Sequence, residues 1–234
     1  MNAQRTLSTL AATVAFLSLP LLGSAQPKGK DKRPRVEIRT ELGTMIVELY
    51  NETPQHRDNF LKLVKEHTYD SLLWHRVIPQ FMIQGGDPNS KRAKPGDPLG
   101  MGGPGYTVPA EFNKAFIHQK GALSAARQGD QVNPQKASSG SQFYVVQGKT
   151  WQAAELEGMV KQKQAMAPGK DYSYTAEQIA TYTTVGGTPH LDGEYTVFGR
   201  VVEGLDVIDK IAAVPCGAGD RPVQDVHMWM KVLK

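Results

Sequence analysis

The chain has 234 residues, of which 40% are hydrophobic, together with a single cysteine and a formal net charge of +4. This length suits one globular domain that buries a core without covalent cross-links, and a lone cysteine excludes an intramolecular disulfide. Residues 28–35 contain five lysines or arginines and one aspartate, a net charge equal to that of the whole chain, so the remainder is nearly neutral and no nucleic-acid partner is expected.

The first 25 residues follow the order of a secretory signal peptide. Arg5 precedes an apolar run, and the small residues Gly23–Ala25 follow it. This order predicts export to the periplasm or the medium, with cleavage after Ala25. A membrane-spanning helix is disfavoured because the apolar run is short and is interrupted by serines, threonines and a proline. We therefore expect a signal peptide at 1–25, a basic linker at 26–34 and no stable membrane insertion after cleavage.

The domain that follows, residues 35–234, opens with a predicted hairpin and helix. Hydrophobic residues alternate through 36–49 around a turn at Leu42, which is the pattern of two antiparallel strands. Thr53 then suits a helix N-cap and Pro54 the first helical position, and apolar residues recur at helical spacing behind them. The start of the domain is thus predicted as strand, strand and helix.

The middle of the chain alternates short strands with long loops. Residues 74–87, WHRVIPQFMIQGGD, are predicted as two short strands divided by Pro79. Residues 85–107 are rich in glycine, proline and aspartate and are predicted as a loop. Two further strands, GALSAAR and SQFYVVQ, are predicted within 121–147 and are separated by another loop.

The last third of the chain begins with a segment whose pattern is helical rather than extended. Residues 150–189 are predicted to be a mostly helical insertion, in which Thr175 and Gln178 form a capping box. A strand, a helix and a final alternating strand follow within 195–232. Many strands, two main helices and long loops predict a mainly-β protein, a closed antiparallel barrel with helices over its ends.

The sequence lacks the motifs of common hydrolases and metalloenzymes. It contains no HExxH, no paired Cys-x-x-Cys and no G-x-S-x-G. The serines of 138–141 are predicted as turn residues entering a strand, and an exported hydrolase built on them would need a His and Asp arrangement that the sequence does not indicate. The chemistry is therefore expected to need neither a nucleophile nor a metal.

Rotation about a peptidyl-prolyl bond is such a reaction. Its barrier of roughly 20 kcal/mol is the loss of amide resonance, and unaided isomerisation takes about 10–100 s. A fixed cationic donor aimed at the proline nitrogen stabilises the twisted amide more than the planar one. An apolar pocket that grips the pyrrolidine ring lets the other side of the bond turn.

The segment WHRVIPQFMIQGGD contains residues suited to that task. Arg76 supplies a forked, permanently charged donor, and Gln84 can hydrogen-bond a substrate backbone. Phe81 and Met82 offer an adaptable apolar surface. Taken alone, the set is only suggestive, because a surface arginine beside core phenylalanine and methionine is the commoner situation.

Four motifs in order resemble those of cyclophilin-type peptidyl-prolyl cis-trans isomerases. They are W/F-H-R-V-I-P-x-F-M-x-Q-G-G-D, G-x-L-S-x-A, G-S-Q-F-Y and L-D-G-x-x-x-V-F-G-R-V, which match at His75–Asp87, Gly121–Ala126, Gly140–Tyr144 and Leu191–Val201. The resemblance implies an eight-stranded closed antiparallel barrel capped by two helices, with the site on its outer face. It also implies a monomeric enzyme without cofactor or metal that acts on proline-containing peptides and unfolded protein segments.

The resemblance assigns site residues position by position. It makes Arg76 the catalytic residue. The residues implied to bind substrate are Phe81, Met82, Gln84, Ala126, Arg127, Gln142, Tyr144, His190 and Leu191. The pair Ala126-Arg127 resembles bacterial members of the family. His190 stands where cyclosporin-sensitive members have a tryptophan, which predicts weak cyclosporin binding.

Two questions stay open at this level. The insertion at 150–189 runs directly into His190 and is either a flap beside the peptide groove or a surface addition that leaves the barrel intact. The alternative to an enzyme is a module that grips proline-containing segments without turning them over. The presence of Arg76 favours the enzyme, since a pure binder has no need of a donor at the twisted nitrogen.

Overall fold

A computed structural model describes residues 32–167, 169 and 171–234. The signal peptide predicted at 1–25 and most of the linker predicted at 26–34 lie outside the described residues. Within the described part, no helix is both long and apolar enough to cross a membrane.

The described chain is mainly β-structure with four α-helices. The strands are β1 (Arg35–Thr40), β2 (Gly43–Leu49), β3 (Leu72–Leu73), β4 (Arg76–Ile78), β5 (Met82–Gly85), β6 (Thr107–Val108), β7 (Ala122–Ala125), β8 (Ser138–Ser139), β9 (Phe143–Val146), β10 (Val197–Glu203) and β11 (His227–Leu233). The helices are α1 (Pro54–Lys65), α2 (Ala153–Met166), α3 (Ala176–Thr184) and α4 (Leu205–Ala212). The predicted order of the longer elements is confirmed, whereas the two-residue strands β3, β6 and β8 were not predicted, and β8 includes two serines that were predicted as turn residues.

One antiparallel sheet of nine strands forms the body of the domain, in the order β3-β11-β1-β2-β10-β7-β9-β5-β4, and β6 pairs with β8 separately. The large sheet curls through 299° and remains open. The prediction of a closed, eight-stranded barrel is therefore not confirmed. The physical reason lies at Trp74 and His75, where one extended segment is divided: β3 pairs with β11, whereas β4 pairs with β5.

Two helices cover the curled sheet. Phe60, Leu63 and Val64 on α1 are buried, as are Val207 and Ile208 on α4. Burying a side chain of this size contributes about 1.5–3 kcal/mol relative to leaving it exposed. These contacts hold the sheet in its curled shape, so its outer face is a stable support for a site.

The N-terminus of α1 is capped by a residue that is distant in sequence. Thr53 is the N-cap residue, as predicted, but its side chain does not make the capping hydrogen bond. Instead the Glu111 carboxylate accepts from the backbone N–H groups of Gln55 and His56, at 3.1 and 3.0 Å. A carboxylate at this end of a helix is also favoured by the helix dipole.

The insertion folds as two helices, α2 and α3, and its two ends are joined. Lys149 pairs with Gly187 in an isolated antiparallel bridge, and the indole N–H of Trp151 donates to the Gly187 carbonyl at 2.9 Å. The capping box predicted at Thr175 is confirmed, and α2 begins with a second capping box, formed by Gln152 and Glu155. The two ends of the insertion therefore lie side by side where it joins the rest of the domain.

Candidate functional site

Three neighbouring strands place site residues from separate motifs in one row. β4 and β5 pair so that Arg76 lies opposite Gln84, and β5 and β9 pair so that Gln84 lies opposite Tyr144. Directly opposed residues in antiparallel strands share a face, with Cβ atoms about 4.5–5.5 Å apart. Met82 lies two positions before Gln84 and points to the same face.

A pocket of about 140 Å³ lies over this row. Its lining residues are Arg76, Phe81, Met82, Gln84, Ala126, Arg127, Tyr144, Leu191 and Tyr195. An apolar cavity of about 150 Å³ can hold a benzene ring, so a proline ring fits by size. All of these residues were predicted from the sequence except Tyr195, whose ring and position at the entry to β10 were the available signals.

Two predicted residues, Gln142 and His190, are not among those lining the pocket but adjoin it. The His190 ring stacks on Phe81, with centroids 5.7 Å apart and planes inclined by 25°. Gln142 lines a wider depression of about 740 Å³ that shares Gln84 with the pocket. A second depression of about 750 Å³ shares Arg76. The pocket thus adjoins two wider depressions that could take the chain on either side of a bound ring.

A line of hydrogen bonds fixes both glutamine amides. Arg76 Nη1–H donates to Gln84 Oε1 at 3.4 Å, and Gln84 Nε2–H donates to Gln142 Oε1 at 3.0 Å. Gln142 Nε2 in turn donates to the carbonyls of Gly100 and Gly102, at 2.9 and 2.7 Å. Each amide has one possible orientation in this line, because the guanidinium only donates and the carbonyls only accept.

Asp220 is a partner of Arg76 that sequence reasoning missed. Its Oδ2 lies 3.3 Å from Arg76 Nε, and the two side chains are 43% and 48% exposed. Pairs as exposed as this contribute about 0.2–1 kcal/mol, so the contact restrains the guanidinium without burying it. The two residues are 144 positions apart, and no local pattern relates them.

The carboxylate of Asp87 has a structural role. It is fully buried, and it accepts hydrogen bonds from the backbone N–H groups of Asn89, Gly100 and Gly102, at 2.8, 2.6 and 3.2 Å. A Cβ atom on Gly102 would lie only 2.0 Å from Asp87 Oδ1, so this approach requires glycine. Asp87 thereby holds the loop whose carbonyls orient Gln142.

The side chain of Arg127 is occupied within the protein. Its Nε–H donates to the Glu194 carbonyl at 2.8 Å, its Nη1 pairs with Asp130 at 2.6 Å, and its guanidinium lies 4.4 Å from the ring centroid of Tyr195. Only 4% of the side chain is exposed. Its charge therefore supports Tyr195 in the pocket wall, which leaves the backbone of 126–127 as the part that can meet a peptide.

A serine, a histidine and a carboxylate are hydrogen-bonded in series elsewhere in the domain. Ser138 Oγ lies 2.9 Å from His56 Nε2, and His56 Nδ1 lies 2.7 Å from Glu111 Oε2. Ser138 is only 1% exposed, however, so an acyl substrate has no access to its hydroxyl. The arrangement joins α1 to the β6–β8 strand pair and does not support the hydrolase alternative. In the described residues, no cluster of three or more metal-ligating side chains is present.

The burial of His75 leads us to expect that the folded protein loses stability in acid. It is 3% exposed, and burial lowers its pKa to about 4 although the Asp87 carboxylate nearby acts in the opposite direction. Since this value is below the unfolded value of about 6.5, the stabilisation by neutral His75 is full above pH 6.5 and falls as pH drops toward 4. We expect His75 to account for a loss of about 2 kcal/mol in the free energy of unfolding between about pH 7 and pH 5.

The measurement is urea unfolding at both pH values for the protein and for His75→Gln. The variant should lose about 2 kcal/mol less than the parent over this interval. Equal losses in the two proteins would show that His75 does not titrate between the folded and unfolded states.

Comparisons with known proteins agree with this geometry. The family model of cyclophilin type peptidyl-prolyl cis-trans isomerases matches residues 35–231. A protein of Staphylococcus haemolyticus, provisionally named a peptidyl-prolyl cis-trans isomerase, is 36% identical over 84% of this chain and 89% of its own length. A Streptococcus pyogenes protein, provisionally named a bifunctional phosphatase and peptidyl-prolyl cis-trans isomerase, is 38% identical over 82% of this chain, and the match spans 37% of that protein.

Solved structures show the same fold. The crystal structure of a cyclophilin type peptidyl-prolyl cis-trans isomerase from Cryptosporidium parvum superposes with a TM-score of 0.61 at 22% identity, covering 86% of this chain and 98% of that one. A structure of that protein determined in the presence of the dipeptide Ala-Pro gives a TM-score of 0.60. The chain therefore belongs to the cyclophilin-type peptidyl-prolyl cis-trans isomerase family.

Proposed function

We propose that this protein accelerates rotation about X-Pro bonds in proline-containing peptides and unfolded protein segments. The observation that carries the proposal is the position of Arg76, whose guanidinium borders a ring-sized pocket walled by Phe81, Met82, Tyr144 and Leu191. The family supports a peptidyl-prolyl substrate, as does the relative from C. parvum that was crystallised with Ala-Pro.

The mechanism follows from the electronic change during rotation. Twisting the C–N bond ends amide resonance and returns a lone pair to the proline nitrogen. A guanidinium has five N–H donors, and the bonds from Arg76 to Gln84 and Asp220 use two of them in the described structure. A remaining donor can bond the nitrogen lone pair, an interaction that exists only in the twisted state and so lowers the barrier.

The pocket and the glutamines bind the substrate. The apolar wall holds the proline ring still. Gln142 orients the Gln84 amide, whose second Nε2–H can donate to a peptide carbonyl. No covalent bond forms, and no proton leaves the protein or the substrate. The rate enhancement thus depends on a preorganised charge and a fixed ring.

This mechanism predicts a rate that barely depends on pH. A guanidinium does not titrate at ordinary pH, and burial lowers the pKa of His190 beside the pocket, which favours its neutral form. We expect the catalysed cis-to-trans rate of a short X-Pro peptide to vary by less than about twofold between about pH 6.5 and 9. A bell-shaped profile centred on a histidine-like value would instead require a proton transfer and refute the mechanism.

The alternative function is a module that binds proline segments without isomerising them. It requires the pocket but not the exposed cation at its rim. Peptide binding without acceleration would support this alternative, and acceleration in proportion to protein concentration would support the enzyme.

We also propose that the protein is exported and acts on exported or folding chains. The support is the order of charged, apolar and small residues in 1–25 and the basic stretch behind it. N-terminal sequencing of protein recovered from outside the cytoplasm should begin at Gln26. Recovery of the intact chain from the cytoplasm alone would contradict export.

A further inference from the structure

A continuous series of hydrogen bonds connects the helical insertion to the wall of the pocket that lies over β4, β5 and β9. The hydroxyls of Tyr174 and Tyr182, both in the insertion, donate to Asp192 Oδ2 at 2.8 and 2.6 Å. Asp192 Oδ1 accepts from the backbone N–H and the ring Nδ1–H of His118, each at 2.8 Å. His118 Nε2 lies 3.0 Å from the hydroxyl of Tyr144, whose ring lines the pocket.

These groups are removed from water. His118 and Tyr182 are fully buried, Tyr144 is 4% exposed, and the Asp192 side chain is 14% exposed. Burial alone would raise the pKa of Asp192, but hydrogen bonds from His118 and Tyr182 outweigh it and hold the pKa below its usual value. A buried carboxylate of this kind is stable only while its donors stay in place, and two of those donors belong to the insertion.

The charge on Asp192 determines which nitrogen of the His118 ring faces it with a proton. A carboxylate accepts only, so the ring nitrogen facing it, Nδ1 of His118, carries the proton. The other ring nitrogen, Nε2, is hydrogen-bonded to the Tyr144 hydroxyl. The Tyr144 ring is thus held at its outer end as well as by packing.

The insertion also holds the opposite wall of the pocket. Lys163 on α2 donates from Nζ to the backbone carbonyls of Asp192 and Pro189, at 2.6 and 3.4 Å. Leu191, which lines the pocket, lies between these two attachment points. Both pocket walls therefore depend on the same segment.

We propose that the insertion is a positioning element of the proline pocket, in which Tyr174 and Tyr182, acting through Asp192 and His118, hold the Tyr144 ring in the orientation that receives a proline ring. The inference rests on the proposed function and deepens it. It differs from the flap, which would touch the peptide itself, and from a surface addition, which would leave binding unchanged. The four residues are positioning residues, since none of them lines the pocket.

The test is the double variant Tyr174→Phe/Tyr182→Phe, which removes two hydroxyls and keeps both rings. We expect KM for an X-Pro peptide to rise about 3- to 10-fold, the effect of losing one net hydrogen bond. The kcat value should stay within about twofold, because Arg76 and its partners are untouched. The matched control is Tyr172→Phe in the same segment, whose hydroxyl is not among the donors to Asp192, and it should leave KM unchanged.

A comparison in the Tyr144→Phe background identifies the route. That substitution already breaks the bond to His118, so adding the two insertion changes should then shift KM by less than about twofold. An equal increase of KM in both backgrounds, or an unchanged KM in the insertion variant, would overturn the proposal.

A second measurement does not depend on turnover. The ¹⁵N resonances of the His118 ring should show the proton on Nδ1, and the Nε2 resonance should shift in both Tyr144→Phe and the insertion variant. If the parent protein fails to accelerate isomerisation, the proposed function fails, while these resonances still test the link. Unchanged His118 resonances in a folded insertion variant would refute the link.

Discussion

Replacing Arg76 with alanine is expected to slow catalysed X-Pro isomerisation about 10- to 150-fold without unfolding the protein. A hydrogen bond from a charged group contributes about 1.5–3 kcal/mol, and the proposed bond to the proline nitrogen exists only in the twisted state, so its loss falls on the rate. The side chain is 43% exposed, so its truncation leaves no sizeable cavity. The measurement is the cis-to-trans rate of a short peptide at equal concentrations of each protein.

Two variants separate the roles of Arg76. Arg76→Lys keeps the charge but loses the planar fork, and its rate should fall between those of the parent and Arg76→Ala. Arg200→Ala removes an arginine of similar exposure, 47%, from β10 and should leave the rate unchanged. An Arg76→Ala protein as fast as the parent, or an equally large loss in Arg200→Ala, would show that no specific donor operates at this site.

Replacing Asp87 with alanine is expected to lower the free energy of unfolding by about 3 kcal/mol. Three backbone N–H groups, those of Asn89, Gly100 and Gly102, lose their acceptor when this fully buried carboxylate is removed. For a domain of this size, the change corresponds to a fall of roughly 6–12 °C in Tm, measured by calorimetry.

The same loop contains a matched control for Asp87. Asp97 is exposed, and its carboxylate accepts from one backbone N–H, that of Lys94, at 2.7 Å. Asp97→Ala should therefore cost less than about 1 kcal/mol. If the two substitutions lower Tm equally, the buried carboxylate does not anchor the loop.

The sequence best predicts short strands and helices, whose apolar residues recur at a regular spacing. The two short strands predicted on either side of Pro79 carry Arg76 and Gln84, and the pairing of β4 with β5 sets these residues opposite each other. Pro79 predicted the division between these strands. Eight of the ten residues that the resemblance assigns to the site line one pocket, whereas Gln142 and His190 adjoin it.

What the sequence does not predict are choices made between distant segments. Periodicity indicates an extended segment through Trp74 and His75, but it does not indicate that its halves pair with different strands, so the open sheet was not foreseen. Similarly, the contacts of Asp220 with Arg76 and of Asp192 with His118 join residues far apart in the chain. Such contacts depend on the assembled fold and leave no local signal.

The most direct test of the central claim is exchange spectroscopy on an X-Pro peptide containing both isomers, with the protein at a small fraction of the peptide concentration. Unaided exchange takes about 10–100 s and gives no cross peaks at mixing times below one second. If Arg76 stabilises the twisted bond, cross peaks between the cis and trans resonances appear with the parent protein and are greatly weakened with Arg76→Ala. Peptide resonances that shift or broaden on binding without cis–trans cross peaks would contradict the claim and identify a protein that holds proline segments without turning them.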